Sequence, residues 1–174
     1  MLSSAVYRLD RTNTTAPDPA DPAKTIQTGS QRTTGFELGA SGTISNAWKI
    51  AGGYGYQDAL ITSRTSAALA RAKVALVPRH TLSLWNKYRF GRAVGVGVGV
   101  IHQARMFAAI DNTVTLPSFV RFDAAAYLTL SRSVRAQLNV ENLFDRTYYL
   151  TSSGNNNISP GSPRAFRVAL MTGF

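Results

Sequence analysis

The sequence predicts an all-β protein, an antiparallel up-and-down meander of about eight long strands of the transmembrane β-barrel type, which the family resemblance given below makes the C-terminal section of a larger barrel. Three observations lead there. Apolar residues recur at every second position in eight separate stretches, and a period of two is the period of a strand. Several stretches run to ten residues or more, beyond the usual length of about five or six and suited to a tilted strand crossing a bilayer. The gaps between stretches alternate long and short, as in a barrel with tight turns on one side and long loops on the other.

In chain order, Ala5, Tyr7 and Leu9 form the first apolar set, against Val6, Arg8 and Asp10. Phe36, Leu38 and Ala40 alternate with Gly35, Glu37 and Gly39. Trp48, Ile50, Gly52, Tyr54 and Tyr56 alternate with Lys49, Ala51, Gly53, Gly55 and Gln57. Leu82, Leu84, Asn86, Tyr88 and Phe90 oppose Thr81, Ser83, Trp85, Lys87 and Arg89. Val94, Val96, Val98 and Val100 are separated by glycines, which relieve crowding on the other face. Val120, Phe122, Ala124, Ala126, Leu128 and Leu130 face away from Arg121, Asp123, Tyr127 and Thr129. Val134, Ala136, Leu138 and Val140 oppose Arg135, Gln137, Asn139 and Glu141. The last set is Phe166, Val168, Leu170, Thr172 and Phe174, a strand running to an aromatic at the membrane rim.

The second face carries charge in mid-strand: Glu37, Lys49, Lys87, Asp123, Arg135 and Glu141. A dry core rejects unpaired charges, whereas a water-filled lumen accepts them. Long gaps fall at Asn13 to Thr28, Ala59 to Pro78, Phe107 to Val114 and Asp145 to Ser162. Tight ones fall near Ser45-Asn46, Gly91-Arg92 and Ser131 to Ser133. If Phe174 is at the periplasmic end, every tight turn is periplasmic and every long loop extracellular. The proline-rich stretch Ala16 to Pro22 reads as a surface excursion, and alanine-rich Arg64 to Leu76 could make a short helix.

Composition excludes several classes. There is no cysteine, hence no disulfide framework. No apolar run approaches the length of about 18 residues that a membrane-spanning helix needs. The first residues resemble no signal peptide, so for an exported protein the chain is expected to begin part-way through a longer gene product. The net charge of +10 invites a nucleic-acid reading, but the cations are scattered singly along strands, with no basic helix or stacking strand, so no nucleic-acid partner is expected. His80 and His102 are too few for a metal centre, and Asp123 with Glu141 makes a lumenal polar ladder rather than a catalytic pair. No nucleophile–base pair marks an enzyme.

Asn142-Leu-Phe-Asp-Arg-Thr-Tyr-Tyr149, followed by Asn155 to Val168 and a terminal phenylalanine, resembles the C-terminal signature of TonB-dependent outer-membrane receptors. Val77 to Trp85 and Thr34 to Leu38 look like upstream strand motifs of the same family, most similar to its ferric-siderophore receptors. The resemblance implies a plugged barrel of about 22 strands in the Gram-negative outer membrane. Residues 1–174 would then be a partial barrel domain, with the plug and the first strands absent. The receptor's function would be energised uptake of ferric siderophores, with iron present only in the transported chelate and no cofactor. Implied partners are the TonB complex, reached through the absent N-terminal part, outer-membrane lipid and lipopolysaccharide, and the barrel-assembly machinery, which reads the strand ending at Phe174.

Siderophore chelates are often anionic, so the resemblance makes arginines of the outer lumen candidates for recognition. Arg105, Arg121 and Arg167 have inward parity. Tyr148 and Tyr149 lie on the last long loop, and Trp85 points inward to meet a plug or line the ligand path. Pairing of these basic groups with lumenal acids or lipopolysaccharide phosphates is the competing reading. Two other architectures remain in play: a self-contained eight-stranded outer-membrane barrel with a structural or adhesion role, and a soluble β-barrel binding protein.

Overall fold

A computed structural model describes residues 1–66 and 68–173. In chain order the strands are β1 (Leu2–Pro17), β2 (Thr25–Thr43), β3 (Trp48–Ile61), β4 (His80–Phe90), β5 (Val94–Gln103), β6 (Met106–Phe107), β7 (Thr115–Leu116), β8 (Phe119–Thr129), β9 (Val134–Glu141), β10 (Tyr149–Ser152), β11 (Ile158–Pro160) and β12 (Ala165–Thr172). Eight of them form one sheet in the order β1-β2-β3-β4-β5-β8-β9-β12. Every pairing is antiparallel, and the two intervening small hairpins, β6–β7 and β10–β11, sit inside long connections. β1 and β12 are edges and do not pair, so the sheet does not close into the eight-stranded barrel weighed above.

The alternation of connections is as the spacing predicts. Tight turns occupy residues 44–47, 91–93 and 130–133. Two are built alike: the Ser45 hydroxyl accepts the Trp48 N–H at 3.2 Å, and the Ser131 hydroxyl accepts the Val134 N–H at 3.1 Å. The first long connection is shorter than expected. β1 and β2 run on through Asn13 to Thr28, pairing as far as Pro17 with Thr25, with bulges between Arg11 and Thr15.

The expected helix over Arg64 to Leu76 does not form among the described residues. Arg71 and Leu76 adopt φ of 72° and 58°, left-handed values that a right-handed helix cannot contain. The segment spends its backbone groups on β3 instead: the Arg71 N–H donates to the Ile61 carbonyl at 2.8 Å, and the Ile61 N–H to the Ala72 carbonyl at 2.8 Å.

Register assigns the faces. Phe36 pairs with Tyr56, Trp48 with Tyr88, Tyr88 with Val96, Val100 with Phe122, Leu138 with Val168, and these share one face. The other face holds Glu37, Lys49, Trp85, Lys87, Asp123, Arg135 and Arg167. The apolar face is open: Phe166 is 67% exposed and Val168 74%. Patches of this extent on one side of a sheet mark contact with another apolar phase.

One strand is turned over relative to the sequence reading. Val6 pairs with Phe36 and Ala5 with Glu37, so Leu2, Val6, Arg8 and Asp10 share the apolar face while Ala5, Tyr7 and Leu9 share the polar one. Gly35 explains the choice, because the Tyr7 ring lies 2.8 Å from where a Cβ at position 35 would be. Arg8 and Asp10 reach the apolar face only near the long-loop end, where Asp10 binds Arg8 at 3.0 Å and Arg32 at 2.6 Å.

Buried apolar side chains gather at the long-loop end. Ile61, Ala68 and Ile110 pack with Ala16, Ile26 and Val74, while Met106, Ala108 and Leu116 pack with Val114 and Ile158. The long connections therefore form a packed cap on one end of the wall. Phe174 lies outside the described residues; β12 ends at Thr172, and the Gly173 N–H donates to the Ser133 carbonyl at 2.9 Å.

Candidate functional site

The polar face carries a charged cluster on β8 and β9 below the last long connection. Arg121 donates to Asp123 at 2.8 Å, to the Tyr148 hydroxyl at 2.8 Å and to Glu141 at 3.0 Å. Its side chain is only 14% exposed. Such a group is stable in a half-dry setting because charge-assisted bonds offset the loss of water. The guanidinium is thereby engaged by its own wall, and its buried Nε has no hydrogen-bond partner among the described residues.

Asp123 also accepts the Asn142 N–H at 2.8 Å, tying the cluster to a backbone knot. Asn142 is buried with φ of 52°, a conformation that asparagine tolerates better than most residues. Its amide donates to the carbonyls of Arg146 at 2.9 Å and Ser162 at 3.1 Å, and its Oδ1 accepts the Arg146 N–H at 3.0 Å. Tyr148, 3% exposed, packs against Phe119 in a tilted arrangement at 4.6 Å between centroids. Its ring fills the space beside Gly161, where any Cβ would lie 2.1 Å from ring carbons. The segment from Asn142 to Tyr148 thus clamps the last long connection onto β8.

Of the six residues singled out from sequence, only Arg121 and Tyr148 come together. Arg167 stands opposite Asn139 on the polar face, exposed and without an ion pair among the described residues. Arg105 lies beyond the end of β5 rather than in its outer half; it is exposed and lines a cleft of about 230 Å³ with Asp58, Arg79 and His80. Tyr149 begins β10 and is exposed. Trp85 lies across β5, its ring 2.4 Å from a notional Cβ at Gly99 and 2.5 Å from one at Gly97. On the connection after β3, Lys73 pairs with Asp58, while Arg64 and Arg71 are exposed. His80 and His102 are placed on the apolar face, bonded to the Tyr54 hydroxyl at 2.7 Å and the Phe119 carbonyl at 2.9 Å. Sequence reasoning treated Asn142 only as part of a motif; an asparagine directly after a strand, three residues before an aspartate, is the signal that it holds a turn.

Comparisons with known proteins bear on what this wall belongs to. A family model described as TonB dependent receptor-like, beta-barrel, matches residues 1–143. The chain belongs to the TonB-dependent receptor β-barrel family. This receptor barrel chain is 27% identical over 97% of its length to the probable TonB-dependent siderophore receptor PiuA of Acinetobacter baumannii, covering 24% of that protein. It is 30% identical over 95% of its length to the catecholate siderophore receptor Fiu of Escherichia coli, covering 22% of it. The crystal structure of PiuA superposes with a TM-score of 0.83 at 28% identity, over 98% of this chain and 26% of PiuA. The closed form of Fiu superposes with a TM-score of 0.79 at 28% identity, over 98% of this chain and 25% of Fiu. The receptor barrel chain therefore spans about a quarter of the length of the relatives it matches. The apolar face is the lipid-facing wall of an outer-membrane barrel, and the polar face lines its lumen.

Proposed function

We propose that this chain is the C-terminal barrel portion of an outer-membrane receptor for energised uptake of ferric siderophores. The observation that carries the reading is the open eight-stranded sheet, in which β1 and β12 are edges that do not pair with each other; the chain superposes almost entirely on PiuA while spanning only 26% of it. An open sheet with two long edges needs further strands to close a wall. The relatives are named as siderophore receptors, and the cargo class is carried over from them. The iron is cargo in its chelate, and energy enters through a TonB complex engaged outside residues 1–174. Lipid and lipopolysaccharide contact the apolar wall, and the barrel-assembly machinery engages the last strand, β12.

Arg167 on the lumenal face and Arg105 just beyond β5, neither in an ion pair among the described residues, are the cations offered to an anionic chelate, with Tyr149 on the last long connection. Arg121 and Tyr148 serve by holding that loop in place. The test is uptake of radiolabelled ferric siderophore by iron-starved cells producing the gene product at its natural length. Energy-dependent accumulation that is lost on deletion of the gene supports the reading; accumulation indifferent to the deletion across hydroxamate and catecholate chelates contradicts it.

A further inference from the structure

The outward face carries a group of charges at its long-loop end. Arg8, Thr34 and Asp58 stand in one row across β1, β2 and β3, and Asp10, Arg32 and Leu60 in the next. Asp10 is shared by Arg8 at 3.0 Å and Arg32 at 2.6 Å, and Asp58 is shared by Lys73 and by Arg79 at 3.2 Å. Four cations thus stand on two carboxylates, and positive charge is left in excess. The guanidinium groups are open to a further partner, since the side chains of Arg8 and Arg32 are 58% and 43% exposed.

The next row toward the tight turns is Val6, Phe36, Tyr56 and His80. Phe36 stacks on Tyr56 at 5.6 Å, and Tyr56 meets His80 at 5.2 Å. A row of aromatics on the outward face marks the membrane–water interface, so the charges beyond it lie at headgroup level. On the other side of that row the wall is furrowed. Ser4 stands opposite Leu38, and Ala40 opposite Gly52, small residues set among large ones. Two apolar clefts of about 640 and about 470 Å³ follow them and share Ser4 and Leu38. The furrow therefore runs from Arg8 to Leu2, about 20 Å of strand at the usual rise, a length that accepts an acyl chain.

We infer that this part of the wall holds one lipopolysaccharide molecule, with one phosphate on Arg8 and Arg32, a second on Lys73 and Arg79, and an acyl chain in the furrow. Charge and spacing select this occupant. From Arg8 on β1 to Lys73, which bridges Leu60 beyond β3, is three inter-strand steps, or about 14 Å. A lipid with a single phosphate fills one of the two cation pairs, whereas a disaccharide bearing a phosphate at each end reaches both. Arginine suits the role because its paired N–H groups bind phosphate oxygens in a fixed geometry. The long loops place the cluster on the extracellular side, the leaflet that lipopolysaccharide occupies. The inference narrows the lipid contact of the proposed barrel to one site, and it rests on the barrel assignment and not on the identity of the cargo.

The test is native mass spectrometry of the gene product at its natural length, extracted in mild detergent from outer membranes. The cells carry lipopolysaccharide trimmed to its lipid anchor and inner sugars, so that its mass is defined. The expected spectrum shows one such glycolipid held per chain. Replacing both Arg8→Gln and Arg32→Gln should lower the held fraction several-fold. The matched pair Arg92→Gln and Arg132→Gln, at two tight turns, should leave it unchanged. Enzymatic removal of one phosphate from the glycolipid should lower it several-fold with the unaltered chain, a loss that no folding defect can mimic. Siderophore uptake is a separate readout, so failure of the cargo assignment leaves the held glycolipid unaffected. An unaltered chain that holds no glycolipid, or only glycerophospholipid, overturns the inference. So does a held fraction indifferent to the loss of the two arginines or of the phosphate.

Discussion

The ring of Trp85 occupies the space that a side chain at Gly99 would need, with Cε3 2.4 Å from the notional Cβ. The alternating glycines of β5 are therefore a bed for one indole on the lumenal face. Gly99→Val should strain the wall by about 1–3 kcal/mol, the usual cost of overpacking. Gly99→Ala should do less harm, and Trp85→Ala should relieve either substitution. Heat-modifiable gel mobility of the outer-membrane form reads this directly. Additive losses in the double variant would mean that the two residues do not meet.

The cluster around Arg121 makes a second expectation. Asp123→Ala removes one partner of a largely buried guanidinium and the acceptor of the Asn142 N–H. Loss of a partner from a buried pair costs about 3–5 kcal/mol, and the remaining bonds to Glu141 and Tyr148 place this case at the lower end. Asn142→Ala should loosen the same loop without touching the ion pairs. Protease nicking between Arg146 and Arg164 should rise in both variants, and thermal stability should fall further in Asp123→Ala.

β12 gives a contrast between neighbouring positions. Leu170 faces lipid, and Leu170→Arg should lower outer-membrane levels, since a cation at the bilayer midplane costs about 2–4 kcal/mol. Arg167→Ala should assemble normally, because Arg167 faces the lumen, and should weaken chelate uptake if it meets an anionic ligand. Surface labelling and uptake in the two variants separate the effects.

The inverted first strand is testable in the same way. Val6→Arg should impair assembly, and Ala5→Arg should be tolerated. The opposite ranking would restore the face assignment that the residue pattern alone suggests.

That inversion marks where the sequence was legible and where it was not. β4, β5, β8 and β12 state their faces because valine, leucine and aromatics dominate one set of alternate positions, while the other mixes charged, polar and small residues. In β1 both sets are mixed. Arg8 and Asp10 look lumenal, yet beyond the apolar band a charged pair can stand on the outer side, where Arg32 joins it. Tyr7 looks lipid-facing, yet Gly35 on β2 makes room for it inside. Parity placed Arg121 on the lumenal side but could not say that Asp123, Glu141 and Tyr148 engage it. The long connections were the least legible part, since Ile61, Ala68 and Ile110 pack across segments far apart in the chain.

The central claim is that one face of this sheet meets lipid and the other lines a lumen. Spin labels placed singly from Leu82 to Phe90 on β4, in the assembled outer-membrane protein, test it through their accessibility to oxygen and to a water-soluble nickel chelate. The account predicts a period of two, with oxygen favoured at Leu82, Leu84, Asn86, Tyr88 and Phe90 and the nickel chelate or burial at Ser83, Trp85, Lys87 and Arg89. Uniform access to the nickel chelate at all of these positions, or an alternation of opposite phase, would contradict it.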